Sequence, residues 1–185
     1  MVNTKICLID MYRTFETDFS KLFPKDVHLT IYKVSEPNLL EKLKVFDGII
    51  ISGSNRRIHK DRSRHQLPKE LLDLGIPVLG ICYGFEWMVH VLGGKIATFP
   101  DKKTRKYNKF LTITEPFKVS RHMYKFSHND YIATIPPTFT NILSQGDEIW
   151  IAYDKEKRHL GIQFHPEKHV ATAREFFIKW SQSRS

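Results

Sequence analysis

The sequence predicts an α/β fold: an open, mostly parallel, doubly wound (flavodoxin-like) sheet with helices on both faces and an antiparallel extension. Three observations predict it. Short runs at 6–9, 48–52 and 78–81 are apolar throughout rather than alternating, as in strands covered on both faces. Segments with helical spacing separate these runs, so strand and helix alternate. Beyond Gly94 the helical spacing lapses, and short β-prone runs follow one another between turn residues.

Taken in order, residues 6–9 read as a first strand and 15–23 as a helix. Val27, Leu29 and Ile31 alternate as a second strand. Pro37 then starts a helix carrying Leu39, Leu40 and Leu43. Residues 48–52 form a third strand, followed by a basic loop, a helix near 67–74 and a strand at 78–81. That strand turns at Gly80-Ile81-Cys82-Tyr83-Gly84 and continues as Phe85, Met88, Val89 and Leu92, a helical spacing ended by Gly93-Gly94. Residues 110–114, 142–143, 149–153 and 160–164 read as strands, with antiparallel pairs extending or flanking the sheet. The last element, 171–180, is a helix with Phe176, Phe177 and Trp180 as its packing face. No repeat, low-complexity tract or linker interrupts the chain, so the reading is one domain over 1–185.

A chain of 185 residues with 41% hydrophobic content can bury a proper core. Its two cysteines, Cys7 and Cys82, make no disulfide framework. Residues 1–5 lead straight into a strand rather than the apolar segment of a signal peptide, and no stretch is long enough to span a membrane. A cytoplasmic protein with no membrane attachment is the expectation. The net charge of +9 gathers in segments 56–65 and 102–109. Basic clusters can follow phosphates, but a solvated loop is the simpler account. Nucleic acid, an anionic nucleotide nearby or an acidic partner protein are the other readings.

Chemistry enters at the 80–84 turn. A thiol sits at the vertex of a strand–turn–helix with glycine two residues to either side, the pattern of a nucleophile elbow. The glycines allow the close backbone approach that a sharp turn requires, and the helix N-terminus favours a thiolate. Alone, Cys82 reads more readily as a small buried apolar residue. The segment Gly161-Ile162-Gln163-Phe164-His165-Pro166-Glu167 changes the balance, because a second apolar run delivers an imidazole and then a carboxylate. Amide hydrolysis needs a nucleophile, a base, a group that orients the base and donors for the oxyanion. Cys82, His165 and Glu167 fill the first three roles, with Pro166 bending the chain so that the last two side chains can meet. His165, Glu167 and His169 do not have the spacing of a metal site, and neither metal nor cofactor is assigned. His59, His65, His90 and His122 carry no pattern.

With these motifs the chain resembles the class I (triad-type) glutamine amidotransferases over nearly its whole length. The residues that carry the resemblance are the strand end at 49–53, the elbow at 77–84, Ser127-His128-Asn129-Asp130, and 161–167. Cys-Tyr-Gly at the elbow and Ser-His-x-Asp downstream look most like the glutaminase domain of GMP synthetases. The resemblance implies oxyanion donors at the backbone of Tyr83 and of the Gly53-Ser54 pair. It also implies substrate contacts near Glu86, Ser127, His128 and Asn129. An ATP-pyrophosphatase synthetase subunit on a separate chain is the implied partner, with glutamine or a related γ-glutamyl compound as substrate.

Three positions depart from the family pattern. Gly53-Ser54-Asn55 stands where Gly-Gly-Pro is usual, and a Cβ at Ser54 narrows the backbone angles open to the oxyanion loop. Glu86 replaces a glutamine; its charge near the sulfur is expected to raise the thiol pKa. Asn129 replaces a glycine, a mild change because asparagine tolerates left-handed angles. Three functions follow. The first is glutamine hydrolysis with ammonia passed to a synthetase that aminates a nucleotide such as XMP. The second is a free-standing γ-glutamyl hydrolase acting on another substrate, favoured by Glu86 and Ser54. The third is a non-catalytic basic binding module on the same scaffold, supported by the net charge together with the departures in the pocket.

Overall fold

The apolar runs pair side by side in the structure, a computed structural model that describes residues 4–12, 19–58 and 67–183. Among these residues eleven strands form. The first five are β1 (Thr4–Asp10), β2 (Val27–Lys33), β3 (Gly48–Ile51), β4 (Val78–Ile81) and β5 (Lys95–Thr98). β6 (Arg105–Ile113), β7 (Val119–His128) and β8 (Asp130–Thr134) follow. The last are β9 (Thr140–Gln145), β10 (Glu148–Asp154) and β11 (His159–Ile162). The main sheet runs β2-β1-β3-β4-β11-β10-β8-β5, with β9 also paired to β10. From β2 through β11 the pairs are parallel, and β10, β8, β9 and β5 add the antiparallel extension. β6 and β7 form a separate antiparallel hairpin.

Alternate residues of the central strands feed two cores. Ile6, Leu8, Ile50, Leu79 and Ile162 pack with Phe176, Phe177 and Trp180 of helix α3 (Val170–Gln182), and with Tyr124 and Phe126 of the hairpin. Cys7, Ile9, Ile49, Ile51 and Val78 pack on the opposite face. Their partners there are Leu39 and Leu43 of α1 (Leu39–Leu43), Leu71 and Leu72, and Phe85, Met88 and Val89 of α2 (Tyr83–Val91). Every residue of β3, β4 and β11 is buried, which is why these strands lack an alternating pattern.

Several local expectations change. Of the helix predicted over 15–23, residues 15–18 lie outside the described residues, and the rest is a single 3-10 turn at Phe19–Leu22. The helix near 67–74 is likewise a 3-10 turn, Lys69–Asp73. The strand read over 160–164 ends at Ile162. β5, β7 and β8 are additions to the predicted set. β7 does alternate at Tyr124, Phe126 and His128, all buried, but the neighbouring polar side chains of Arg121, His122 and Lys125 obscure it. In segment 102–109, Lys102, Lys103 and Lys106 are exposed, whereas Arg105 lies over Phe99 at 4.2 Å and Lys109 over Trp150 at 4.7 Å. Two of that segment's cations therefore serve packing. Among the described residues no helix is long and apolar enough to cross a membrane.

Candidate active site

The site lies at the carboxyl ends of β3, β4 and β11, where parallel α/β sheets gather ligand-contacting groups. Cys82 is the single residue between β4 and α2, with φ 50° and ψ −103°. A non-glycine residue holds such angles only when its surroundings over-determine them. Two backbone bonds do so: Cys82 N–H donates to Ile162 O at 2.7 Å, and its carbonyl accepts from Glu86 N–H at 2.9 Å. The flanking glycines are sterically required. A Cβ on Gly84 would lie 2.3 Å from Ile51 O, and one on Gly80 would lie 2.7 Å from the backbone of Gly84 and Phe85. Gly161 makes room for the Phe85 ring, so α2 sits directly against β11.

β11 ends just before Gln163, and the chain returns through a 3-10 turn at Pro166–Lys168. That turn, rather than an extended bend, swings Glu167 back onto His165, whose Nδ1–H donates to Glu167 Oε1 at 2.7 Å. His165 and the Cys82 sulfur act on each other, the imidazole pulling the thiol down and the thiol raising the ring. Sulfur, imidazole and carboxylate therefore gather in one place, and all three residues are 4–5% exposed. The backbone of His165 is held from the other side, its N–H donating to Lys125 O of β7 at 2.8 Å. Gly53 lies against the ring, since a Cβ there would come 2.8 Å from His165 Cε1 and 2.7 Å from the Tyr12 hydroxyl.

Burial and charge oppose each other here. Burial pushes the Cys82 thiol upward; His165 pulls it back in part, while Glu86 and Glu167 push the same way as burial. The helix N-terminus favours a thiolate, and desolvation of the enclosed sulfur works against it. Burial also disfavours an imidazolium at His165, but Glu167 and Cys82 more than offset it and hold the ring well above its ordinary value. Glu86 pushes the thiol upward, as the sequence leads one to expect, and its own carboxyl is shifted too. Burial lifts its carboxyl to about 8, with Asp130 adding to the effect and Gln163 and Arg57 opposing it. A carboxyl that holds its proton to about 8 adds less negative charge beside the sulfur at neutral pH than an ordinary carboxylate would.

Cys82 opens into a small cavity of about 20 Å³, lined also by Ser54, Arg57, Glu86, Ser127 and Asp130. His128 and Asn129 border it too. Ser127 presents its carbonyl to the sulfur, Sγ to O 3.8 Å. His128 is packed against Phe99 and Phe126, and its Nδ1–H donates to Asp130 O at 2.8 Å. Asn129 Oδ1 accepts from the Thr104 hydroxyl at 2.5 Å. Ser54 Oγ donates to Met11 O and accepts from Arg56 N–H, both at 3.1 Å, which fixes the loop after β3. Tyr83 is the first residue of α2, so its amide stands at the helix N-terminus beside the sulfur. Residues 59–66, including most of the basic loop with His59 and His65, lie outside the described residues.

Three contributors escaped the sequence reading. Gln163 is fully buried, and its Nε2 donates to Glu86 Oε1 at 3.2 Å and approaches Cys82 Sγ at 3.7 Å. Arg57 forms a two-point ion pair with Asp130, through Nε to Oδ2 at 3.0 Å and through Nη2 to Oδ1. Position two before His165 was the available signal for Gln163. Arg57 is hidden in a basic run, and Asp130 carries no sequence signal beyond its place in a motif.

A family model for class I glutamine amidotransferases matches residues 7–181. GMP synthases (glutamine-hydrolysing) of two Streptococcus pneumoniae strains, ATCC 700669 and JJA, are each 33% identical to the chain over 145 residues. The match takes in 75% of this chain and 27% of each relative, so the chain spans about a quarter of the length of these curated relatives. Among solved structures, a proposed GMP synthase subunit from Thermoplasma acidophilum is similar with a TM-score of 0.73 at 21% identity, covering 98% of this chain and 94% of that one. A glutamine amidotransferase from Thermotoga maritima is similar with a TM-score of 0.65 at 16% identity, covering 97% of this chain and 83% of that one. Both support the flavodoxin-like α/β architecture.

Proposed function

The chain belongs to the class I glutamine amidotransferase family, and from that premise we propose that it hydrolyses the side-chain amide of glutamine through Cys82, His165 and Glu167. In this reading it supplies the ammonia to a synthetase of GMP synthase type on a separate chain. The observation that carries it is the buried grouping of the Cys82 sulfur with the His165 ring, whose Nδ1–H donates to Glu167 Oε1 at 2.7 Å.

The steps balance with these groups. His165 takes the thiol proton as the sulfur attacks the amide carbon, and the carbonyl oxygen becomes an oxyanion. The amides of Tyr83 and of the Gly53-Ser54 pair are the proposed donors to it. Collapse breaks the C–N bond; His165 returns the proton to the departing ammonia and leaves a γ-glutamyl thioester on Cys82. Water then attacks the thioester with His165 again as base, releasing glutamate and the thiol. Glu167 holds the imidazole in its productive orientation and supports its positive charge. The whole chain is proposed to act as one domain, with the buried thiol of the free form keeping turnover low until the partner docks.

The test is mass-mapped alkylation with a glutamine-shaped chloroketone. Cys82 is expected to be the site. Cys7 should stay unmodified, because burial lifts its thiol to about 12. His165→Ala should slow labelling and glutamine turnover by about 10²–10⁴-fold. Labelling at Cys7 alone would end this reading. Turnover of γ-glutamyl peptides but not glutamine would shift it to the γ-glutamyl hydrolase alternative, to which the buried Glu86 lends support.

A further inference from the structure

A second cavity lies at the same end of the sheet, beyond the carboxyl ends of β1 and β2. It measures about 140 Å³, against about 20 Å³ for the one over Cys82. A volume of roughly 150 Å³ encloses a benzene ring, so there is room here for a compact polyatomic group. The last rung of the β1–β2 pair, Asp10 beside Lys33, borders it; Ser35 follows from the end of β2, and Arg56 reaches it from the loop after β3. Strand order reverses at β1, with β2 on one side and β3 on the other, and open parallel sheets take ligands outside the strand ends at such a point. The ionic groups lining the cavity are two cations, Lys33 and Arg56, and one anion, Asp10. The Asp10 side chain is 1% exposed and its charge is met within the fold: Oδ1 accepts from Tyr12 N–H at 2.8 Å, and Oδ2 accepts from Lys33. Lys33 is 54% exposed on a flexible stem, and an ammonium has three donors, so it can serve a ligand while keeping Asp10.

We propose that this cavity binds a phosphate group and that Arg56 couples its occupancy to Cys82. Lys33, Ser35 and Arg56 bring donors to it from two strand ends. That suits a tetrahedral acceptor with oxygens on several sides; a planar carboxylate would be satisfied by the guanidinium fork alone. The coupling runs through the loop after β3. Among the described residues Arg56 alone lines both cavities. The loop itself is stitched to the first cavity-lining stretch, because Met11 N–H donates to Ser52 Oγ at 2.9 Å and Met11 O accepts from Ser54 Oγ at 3.1 Å. A bound phosphate draws the Arg56 guanidinium away from the thiol while the loop that carries it stays anchored, so filling one cavity widens the other. The site takes no part in the amide chemistry and stands whether or not Cys82 acts on glutamine.

Two measurements at constant pH and ionic strength test this. Titration calorimetry reads binding of two probes, inorganic phosphate and adenosine 5′-monophosphate, and mass-mapped iodoacetamide labelling reads the accessibility of Cys82. Binding should saturate at one equivalent, and labelling of Cys82 should quicken severalfold with the same midpoint. Tighter binding of the nucleotide assigns the cavity to the end of a larger molecule, and equal or tighter binding of inorganic phosphate assigns it to the free ion. Arg56→Gln should weaken binding at least about tenfold, the scale of one charged contact, and remove the acceleration of labelling. Ser35→Trp, at an exposed position, fills the cavity without changing its charge and should abolish binding, which keeps the test decisive if Arg56→Gln folds poorly. No saturable binding of either probe, binding that neither variant weakens, or saturation with labelling unchanged would each overturn the inference and leave the glutaminase reading standing.

Discussion

Glu86 shows at the scale of one residue how burial can replace a charge with a proton. An unfolded glutamate titrates near 4.5, whereas the carboxyl enclosed beside Gln163 and Asp130 holds its proton to about 8. Between these values the folded chain keeps a proton that the unfolded chain has released, so stability falls as pH rises. The contribution is fully present below about 4.5 and is lost as pH passes through about 8. Its upper size is about 4–5 kcal/mol. Glu86→Gln removes this dependence while keeping the shape. Its denaturant midpoint should match that of the parent near pH 4 and exceed it clearly at pH 9. Equal pH profiles for the two chains would show that Glu86 ionises normally in the fold. The same residue marks a limit of sequence reading. A glutamate in a glutamine's place announces a negative charge, and only its 4% exposure shows the burial that lifts its carboxyl to about 8.

The element that sets the geometry is α2, because its first turn carries both Cys82 at its N-terminal boundary and Glu86. It can sit so close to β3 only because Gly84 has no side chain, a Cβ there meeting the backbone oxygen of Ile51 at 2.3 Å. Gly84→Ala must therefore push the helix start away from the sheet. The expected loss is about 1–3 kcal/mol of stability, with a larger proportional loss of Cys82 reactivity toward the glutamine-shaped chloroketone. An alanine variant with unchanged reactivity would show that the elbow tolerates the shift. This element was readable in the sequence because its glycine spacing and its apolar period agree. The parallel strands were readable from their continuous apolar runs, and the 161–167 segment from its chemistry-bearing side chains. The short 3-10 turns at Phe19–Leu22 and Lys69–Asp73 were not, since apolar residues over one turn look the same as the start of a helix. Arg57 and Asp130 are 73 positions apart, and nothing local to either announces the other.

Across the whole molecule, the site is closed by the β6–β7 hairpin, which is not hydrogen-bonded as a strand into the main sheet. β7 nevertheless supplies the Lys125 carbonyl that holds the His165 backbone and the Ser127 carbonyl that faces the sulfur. The position of the imidazole thus depends on how firmly the hairpin is tied down. Part of that tie is apolar, with Tyr124 and Phe126 buried against Phe164, and part is polar at its far end. There Glu175 of α3 accepts from Ser120 N–H at 2.8 Å and from the Ser120 hydroxyl at 2.9 Å, and pairs with His122. Glu175→Ala removes these bonds without touching the site. The expected stability loss is about 1–3 kcal/mol. Hydrogen exchange should quicken at the Ser120 amide and along β7, and Cys82 labelling by the chloroketone should slow severalfold because His165 is less well held. Exchange confined to Ser120, with labelling unchanged, would mean that the aromatic contacts alone fix the hairpin and that the polar clamp on α3 is dispensable to the site.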